Sequence, residues 1–253
     1  MPYLLLPSPQ PIVCVGIDLA GLPGRETGIA ILRDGLLEYL AAAGDDAEIL
    51  AIVERAGPTA TIAINAPLTL PRGRCCLDDD CPCRHDPGTR SRELERELLR
   101  LRVPILAMAL IKVLARRGYI LAAALREREV TPLEVYPFAT LRLLGLPTAG
   151  KRTQLGRRRI HNALQPLVPG LDHPEASEHQ LDAVVCALTA QLWRQGKTRT
   201  VGVADEGLMV IPAIAATGSL PSDNATAEQP LRRVAEERAG YDISASTGAE
   251  GSE

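Results

Sequence analysis

The sequence predicts an α/β protein with a mixed sheet, antiparallel on one side and parallel at its centre, and helices on both faces. Three observations predict it. Three strand-like runs joined by tight turns come first, and single apolar strands separated by helical stretches follow. Apolar residues make up 46% of the 253, but aromatics only 3%, so the core between sheet and helices must be Leu, Ile, Val and Ala.

Each element has its own signal. Ile12–Leu19 (IVCVGIDL) has the β-branched density of a buried strand, and Gly21, Pro23 and Gly24 end it. Thr27–Arg33 is a second strand, Asp34-Gly35 a hairpin turn, and Leu36–Ala42 the returning third. Asp45-Asp46 can cap a helix over 47–56, stopped at Gly57-Pro58. Thr61–Ile64 is a fourth strand, too apolar for a sheet edge. Residues 69–90 lack periodicity and read as a Cys-rich loop. Helical spacing resumes over 91–101 and 105–129, with Gly118 a candidate break. Leu133–Tyr136 is a fifth strand, followed by helices over 137–144 and 151–166. The strongest helical pattern, 177–195, carries small or apolar residues at Ala183, Cys186, Ala187, Ala190 and Leu192. Residues 201–211 predict a terminal strand or hairpin.

The order β-β-β-α-β-insert-α-β-α-α is that of the RNase H fold, so residues 11–212 are expected to form one RNase H-like domain with a Cys-rich insert at 69–90. Residues 1–10 are expected to be a disordered leader. Residues 213–253, rich in Ala, Ser, Thr and Glu, are expected to be a disordered tail. Actin-like sugar kinases share the strand order, but they need a second copy of the fold and Gly-rich phosphate loops.

Charge and composition narrow the function. A net charge of −3 gives no global basic field, so nucleic-acid contact would have to be local. Basic residues do crowd in two places: Arg84, Arg90, Arg92, Arg96 and Arg100, and again Lys151, Arg152, Arg157, Arg158 and Arg159. The second group is the candidate contact to a nucleic-acid backbone; its bland reading is a solvated helix face. No apolar run approaches the roughly 18–20 residues that span a bilayer, and the proline-rich N-terminus lacks the basic region of a signal peptide. A cytoplasmic protein with reduced cysteines and no membrane partner is expected. Neither G-x-x-x-x-G-K-[ST] nor G-x-S-x-G occurs.

The residues that carry chemistry lie at strand ends and on the last helix. Asp18 ends the first strand, where a carboxylate is costly unless paired or bound to a cation; a turn cap is the competing reading. Asn65 holds the matching position after the fourth strand, and Asn-Ala-Pro is also a plausible turn. Glu134 lies in the fifth strand. His179 and Asp182, three residues apart, share a helix face. Together these groups suit a hard cation, Mg²⁺ or Mn²⁺, which bridges phosphate oxygens in metal-dependent nucleases. Asp18, Asn65 and Asp182 are expected to converge in one cleft.

The strings VGIDLAG, TGIAI, IAINAPL, EVYP, LDAVVCALTA and EGLMVIP, in this order over residues 12–212, resemble the family catalogued as domain of unknown function 429, whose members are regarded as RNase H-like nucleases. HQLDAVVCAL also resembles the metal-binding helix of bacterial Holliday-junction resolvases, H-x-x-D-A-L. The resemblance implies metal ligation by Asp18 and Asp182, His179 as ligand or proton carrier, and some role for Glu134. One departure stands out. The family usually has Asp where this chain has Asn65, and an amide adds no charge to a metal site. The alternative to a metal-dependent nuclease is therefore a catalytically silent RNase H-like module that binds nucleic acid or a protein.

A second constellation is RCCLDDDCPCRH, with Cys75, Cys76, Cys81, Cys83 and His85. Zinc held by the cysteines is one reading, and free thiols or a redox pair the other. Zinc requires at least three of the sulfurs within about 4 Å of one another. Asp78, Asp79 and Asp80 between the thiols read as a cation site or a solvated run.

Overall fold

A computed structural model describes residues 10–85 and 91–213. Apart from residues 10 and 213, the expected leader and tail lie outside the described residues, as do the last five residues of the Cys-rich insert, Arg90 among them.

Seven strands form one mixed sheet. They are β1 (Val13–Asp18), β2 (Thr27–Arg33), β3 (Leu36–Ala43), β4 (Thr61–Ile64), β5 (Leu133–Val135), β6 (Thr198–Val203) and β7 (Gly207–Pro212), in the order β3-β2-β1-β4-β5-β7-β6. The β1–β2–β3 meander is antiparallel, β1, β4, β5 and β7 run parallel, and β6 closes the far edge antiparallel to β7. The Asp34-Gly35 turn has positive φ at both residues, 49° and 85°, the backbone an Asp-Gly hairpin is chosen for. Apolar β4 sits between β1 and β5.

Helices cover both faces: α1 (Asp46–Ala56), α2 (Glu93–Arg100), α3 (Lys112–Arg126), α4 (Pro137–Leu143), α5 (Gln154–Leu164) and α6 (Glu178–Arg194). Asp45 caps α1 by accepting the Glu48 N–H at 2.8 Å. Ser177 and Gln180 form a capping box that fixes where α6 begins. Successive side chains of a strand point to opposite faces. Val13, Val15 and Ile17 of β1 therefore pack with α1 and α3, against Ile52, Val53, Leu121 and Leu125. Cys14, on the other face, joins Ala30, Ala63 and Val135 beneath α5 and α6. A third cluster joins Leu94 and Leu98 of α2 to Val201, Met209 and Ile211.

Two expectations about helices are corrected. The helical pattern from 105 becomes a 3₁₀ turn at Met108–Leu110 before α3 starts at Lys112. Gly118 does not interrupt α3. It lets the helix cross the segment after β4, since a Cβ there would lie 2.5 Å from the Pro67 carbonyl oxygen.

What positions the candidate site is the seating of α6. Gly16 of β1 and Gly28 of β2 lie beneath the helix, where a Cβ would come within 2.0 Å of the carbonyl oxygens of Ala183 and His179 respectively. Without side chains the sheet meets the helix backbone directly, and the first turns of α6 are carried over the C-terminal end of β1.

Candidate functional site

Asp18, the last residue of β1, shares strand parity with Cys14 and Gly16 and so faces α6. Its carboxylate is buried and held by two donors. Asn65 Nδ2 donates to Oδ1 at 2.6 Å, and His179 Nδ1 lies 2.7 Å from Oδ2. Asn65 is placed by the β1–β4 ladder, which its own N–H extends to the Ile17 carbonyl at 2.8 Å. His179 comes from the first turn of α6. The Asp18 hydrogen bond raises the His179 pKa above its usual value, partly opposed by burial.

Asp182 follows on the same face of α6, its side chain 16% exposed. Burial raises its pKa to about 6; Lys151 pulls the other way, and the nearby negative charge of Asp18 adds to the rise. Lys151 donates to Asp182 Oδ1 from the turn before α5. Asp18, Asn65, His179 and Asp182 thus converge at the C-terminal ends of β1 and β4, the edge of an α/β sheet where ligands commonly bind. Lys151 joins them.

Glu134 does not. In β5 it alternates with Leu133 and Val135, and Val135 packs beneath α6, so Glu134 projects from the opposite face. Its partner there is Arg92, only 1% exposed, whose two terminal nitrogens meet the Glu134 oxygens at 2.8 and 2.7 Å. Arg92 also reaches Glu95 at 3.2 Å and Thr69 at 2.9 Å, while Glu134 accepts the Leu68 N–H at 2.8 Å. Glu134 ties down the segment after Asn65 and makes no contact with Asp18 or Asp182. A cavity of about 150 Å³ lies alongside, lined by Asn65, Pro67, Ile105, Leu114, Glu134 and Tyr136 among others.

The two basic groups resolve differently from a uniform patch. Lys151 turns inward to Asp182. Arg157 clamps the carbonyls of Lys151 and Arg152 at 3.3 and 3.2 Å, and Arg158 pairs with Glu175 at 3.3 Å. In the earlier group Arg96 and Arg100 both pair with Glu93, at 2.7 and 2.8 Å.

The four cysteines of the loop gather, over a wider span than the roughly 4 Å expected for zinc. The Sγ atoms of Cys75, Cys76, Cys81 and Cys83 all lie within 4.8 Å of one another, a cluster able to hold a metal ion. Cys75 and Cys81 lie 3.5 Å apart, and the four are not paired in disulfides. The Cys75 backbone N–H pulls the Cys83 thiol down to about 6, while contact with Cys81 pushes Cys75 up to about 12. His85 lies outside the group. The aspartates between the thiols bind neighbours: Asp79 pairs with Lys112 and Asp78 with Arg116, fastening the loop to α3.

Fold and site define the class: an α/β protein with a mixed sheet, a polar cluster at the C-terminal ends of its parallel strands, and a four-cysteine loop fastened to α3. The chain belongs to the family described as protein of unknown function DUF429, whose model matches residues 80–206. That span holds Glu134, Lys151, His179 and Asp182, whereas Asp18 and Asn65 precede it. No curated protein and no solved structure matches the chain. No helix among the described residues is long and apolar enough to cross a membrane.

Two features escaped the sequence. Lys151 reads as one of a run of outward-facing cations, and nothing nearby signals a partner 31 residues away. Gly16 and Gly28 do not fit a phosphate-binding fingerprint, yet paired with the small residues of α6 they carry a packing signal.

Proposed function

We propose that this chain is an RNase H-like, metal-dependent hydrolase of phosphodiester bonds, working with one divalent cation, Mg²⁺ or Mn²⁺, held by Asp18 and Asp182. The observation that carries the reading is the convergence of two poorly exposed carboxylates with an amide and an imidazole at the C-terminal edge of the parallel strands. The strand order β3-β2-β1-β4-β5, with only β2 reversed among its first neighbours, supports the RNase H-like assignment. The donors fit a hard cation: carboxylate oxygens and an amide carbonyl, with no thiolate ligand among them. Two carboxylates supply charge for one such ion, not for a pair.

When bound, the cation polarises a phosphate oxygen and lowers the pKa of a coordinated water. The protein's own groups do the rest. Asn65 and His179 fix the plane of the Asp18 carboxylate. Because Nδ1 of His179 is committed to Asp18, proton exchange with substrate falls to Nε2, on a side chain 40% exposed. Nucleic acid is the proposed substrate, in keeping with an intracellular protein, and Arg152, Arg157 and Arg158 lie beside Lys151 for its backbone. At the cysteine loop the proposed ion is zinc. Tetrahedral zinc with Zn–S bonds near 2.3 Å needs sulfurs about 3.8 Å apart.

The test is cleavage of single-stranded, duplex and branched DNA and of RNA by the purified chain with Mg²⁺ or Mn²⁺, beside Asp18→Asn. Metal-dependent cleavage that falls at least about 100-fold in the variant is the expected result. Binding of these nucleic acids without cleavage, equal in both proteins, would instead establish the silent module, the reading that Asn65 favours.

A further inference from the structure

We infer that Lys151 takes the place of a second metal ion: its ammonium group is a tethered cation, fixed on Asp182, that faces the substrate phosphate beside the single divalent ion. The inference rests on the metal-dependent reading above and goes beyond it, because it assigns the charge that a one-metal site lacks.

The charges require some such device. Asp18 and Asp182 contribute two negative charges, Asn65 none, and Lys151 one positive charge. Two divalent ions about 3.5–4 Å apart repel strongly and need several carboxylates between and around them. Here a pair would face a net charge of −1 with His179 neutral, and of zero with it protonated. One divalent ion with one ammonium group can be accommodated where two divalent ions cannot.

The geometry points the same way. Lys151 does not reach Asp182 from a mobile surface loop. Gly150 turns the chain with φ of 79°, and its carbonyl accepts both the Thr153 N–H and the Thr153 hydroxyl at 2.9 Å. Thr153 in turn caps α5 through the Gly156 N–H, and Arg157 clamps the Lys151 and Arg152 carbonyls from the next turn. Gly156 lies so close that a Cβ there would sit 2.0 Å from the Gly150 carbonyl oxygen. The turn is thus braced from three sides, and the Lys151 side chain is only 19% exposed. An ammonium carries three donors. One is committed to Asp182, which leaves two for phosphate oxygens. Lysine as a compact point charge suits that task.

The experiment counts Mn²⁺ ions on the zinc-loaded full chain by electron paramagnetic resonance of free Mn²⁺, without substrate. Wild type should bind one ion at this site, and Asp18→Asn should lose it. Lys151→Gln keeps a donor for Asp182 but removes the charge. It should bind a second ion, or bind the first at least about tenfold more tightly. Lys151→Arg should keep the wild-type count. Should Lys151→Gln fail to fold, Asn65→Asp makes the same test from the other side, since one added negative charge should admit the second ion. Unchanged number and affinity in the charge-altered variant would overturn the inference while leaving the single-ion site standing. Mn²⁺ binding indifferent to Asp18→Asn would remove the metal site and the inference together.

Discussion

Replacing Gly28 with alanine should dismantle the candidate site from beneath. Gly28 pairs with Asp18 across the β1–β2 ladder and lies under the first turn of α6. A methyl group there would stand 2.0 Å from the His179 carbonyl oxygen, 2.4 Å from its carbon and 2.9 Å from the Gln180 nitrogen. All three are backbone atoms, so no rotamer relieves the clash. Restoring a C···O contact of about 3.3 Å lifts the start of α6 by about 1.3 Å. Overpacking of this kind costs about 3 kcal/mol, the upper part of its usual range, because strand and helix must both move. For a domain of this size that is a fall of about 6–12 °C in Tm.

The same shift draws His179 away from Asp18, now 2.7 Å apart, and its raised pKa should fall back towards the ordinary value of about 6.5. The sign follows from linkage. Stability contributed by protonated His179 is fully present below the unfolded pKa and disappears as pH rises through the raised folded one. The gap between wild type and Gly28→Ala should therefore be wider near pH 6 than at pH 9. Melting curves at both pH values measure the gap. A proton NMR titration of the four histidines, with His179→Gln for assignment, gives the pKa directly. Gly44→Ala is the control, since a Cβ there meets nothing within 4 Å. If Gly28→Ala melts with wild type and His179 titrates unchanged, the close seating of α6 is not what builds the site.

Arg92→Met should cost about 3–5 kcal/mol, because it strands the buried carboxylates of Glu134 and Glu95 without their cation, and thermal melts will show the loss. Glu134→Gln should also lower Tm, yet leave Mn²⁺ affinity within about twofold of wild type; a large loss of affinity would return Glu134 to the metal site. The native chain purified without chelator should carry one zinc, released by a thiol-reactive mercurial and lowered by Cys81→Ser; elemental analysis that finds no stoichiometric metal would leave the loop as free thiols.

The elements most legible in the sequence were those set by local chemistry. β2 and β4 have the bounds expected of them because β-branched runs end at turn residues, and α6 lies within one residue of its expected ends, its start set by the Ser177–Gln180 box. Asp18, Asn65, His179 and Asp182 were legible for a similar reason: polar groups at the ends of apolar strands and on one apolar helix face need a shared explanation. Apart from the 3₁₀ turn before α3, the failures are questions of partnership across space. Glu134 sits one residue from a position that would face α6, and register, not composition, decides its side. Its cation, Arg92, is 42 residues distant. The glycine of α3 that reads as a break is a contact, because sequence does not distinguish a glycine that loosens a helix from one that lets another backbone approach.

The protein carries acid–base clusters on both faces of the sheet near the ends of its parallel strands, and they differ in how far their charges are closed. Around Glu134 the charges are closed upon themselves: Arg92 is bidentate to one carboxylate and bonded to a second, and the side chains of all three residues are at most 5% exposed. Such a group has its charges matched internally, and it holds the strand end and the following segment in place. Around Asp18 the closure is incomplete. Its partners are an amide, an imidazole 40% exposed and, through Asp182, a lysine 19% exposed. Burial raises the pKa of Asp182 to about 6, with Lys151 pulling the other way. A cluster that solvent can reach is the better placed of the two to exchange ligands. The closed cluster on one face thus anchors, through the Leu68 N–H, the segment that follows Asn65, while the cluster on the other face stays within reach of solvent.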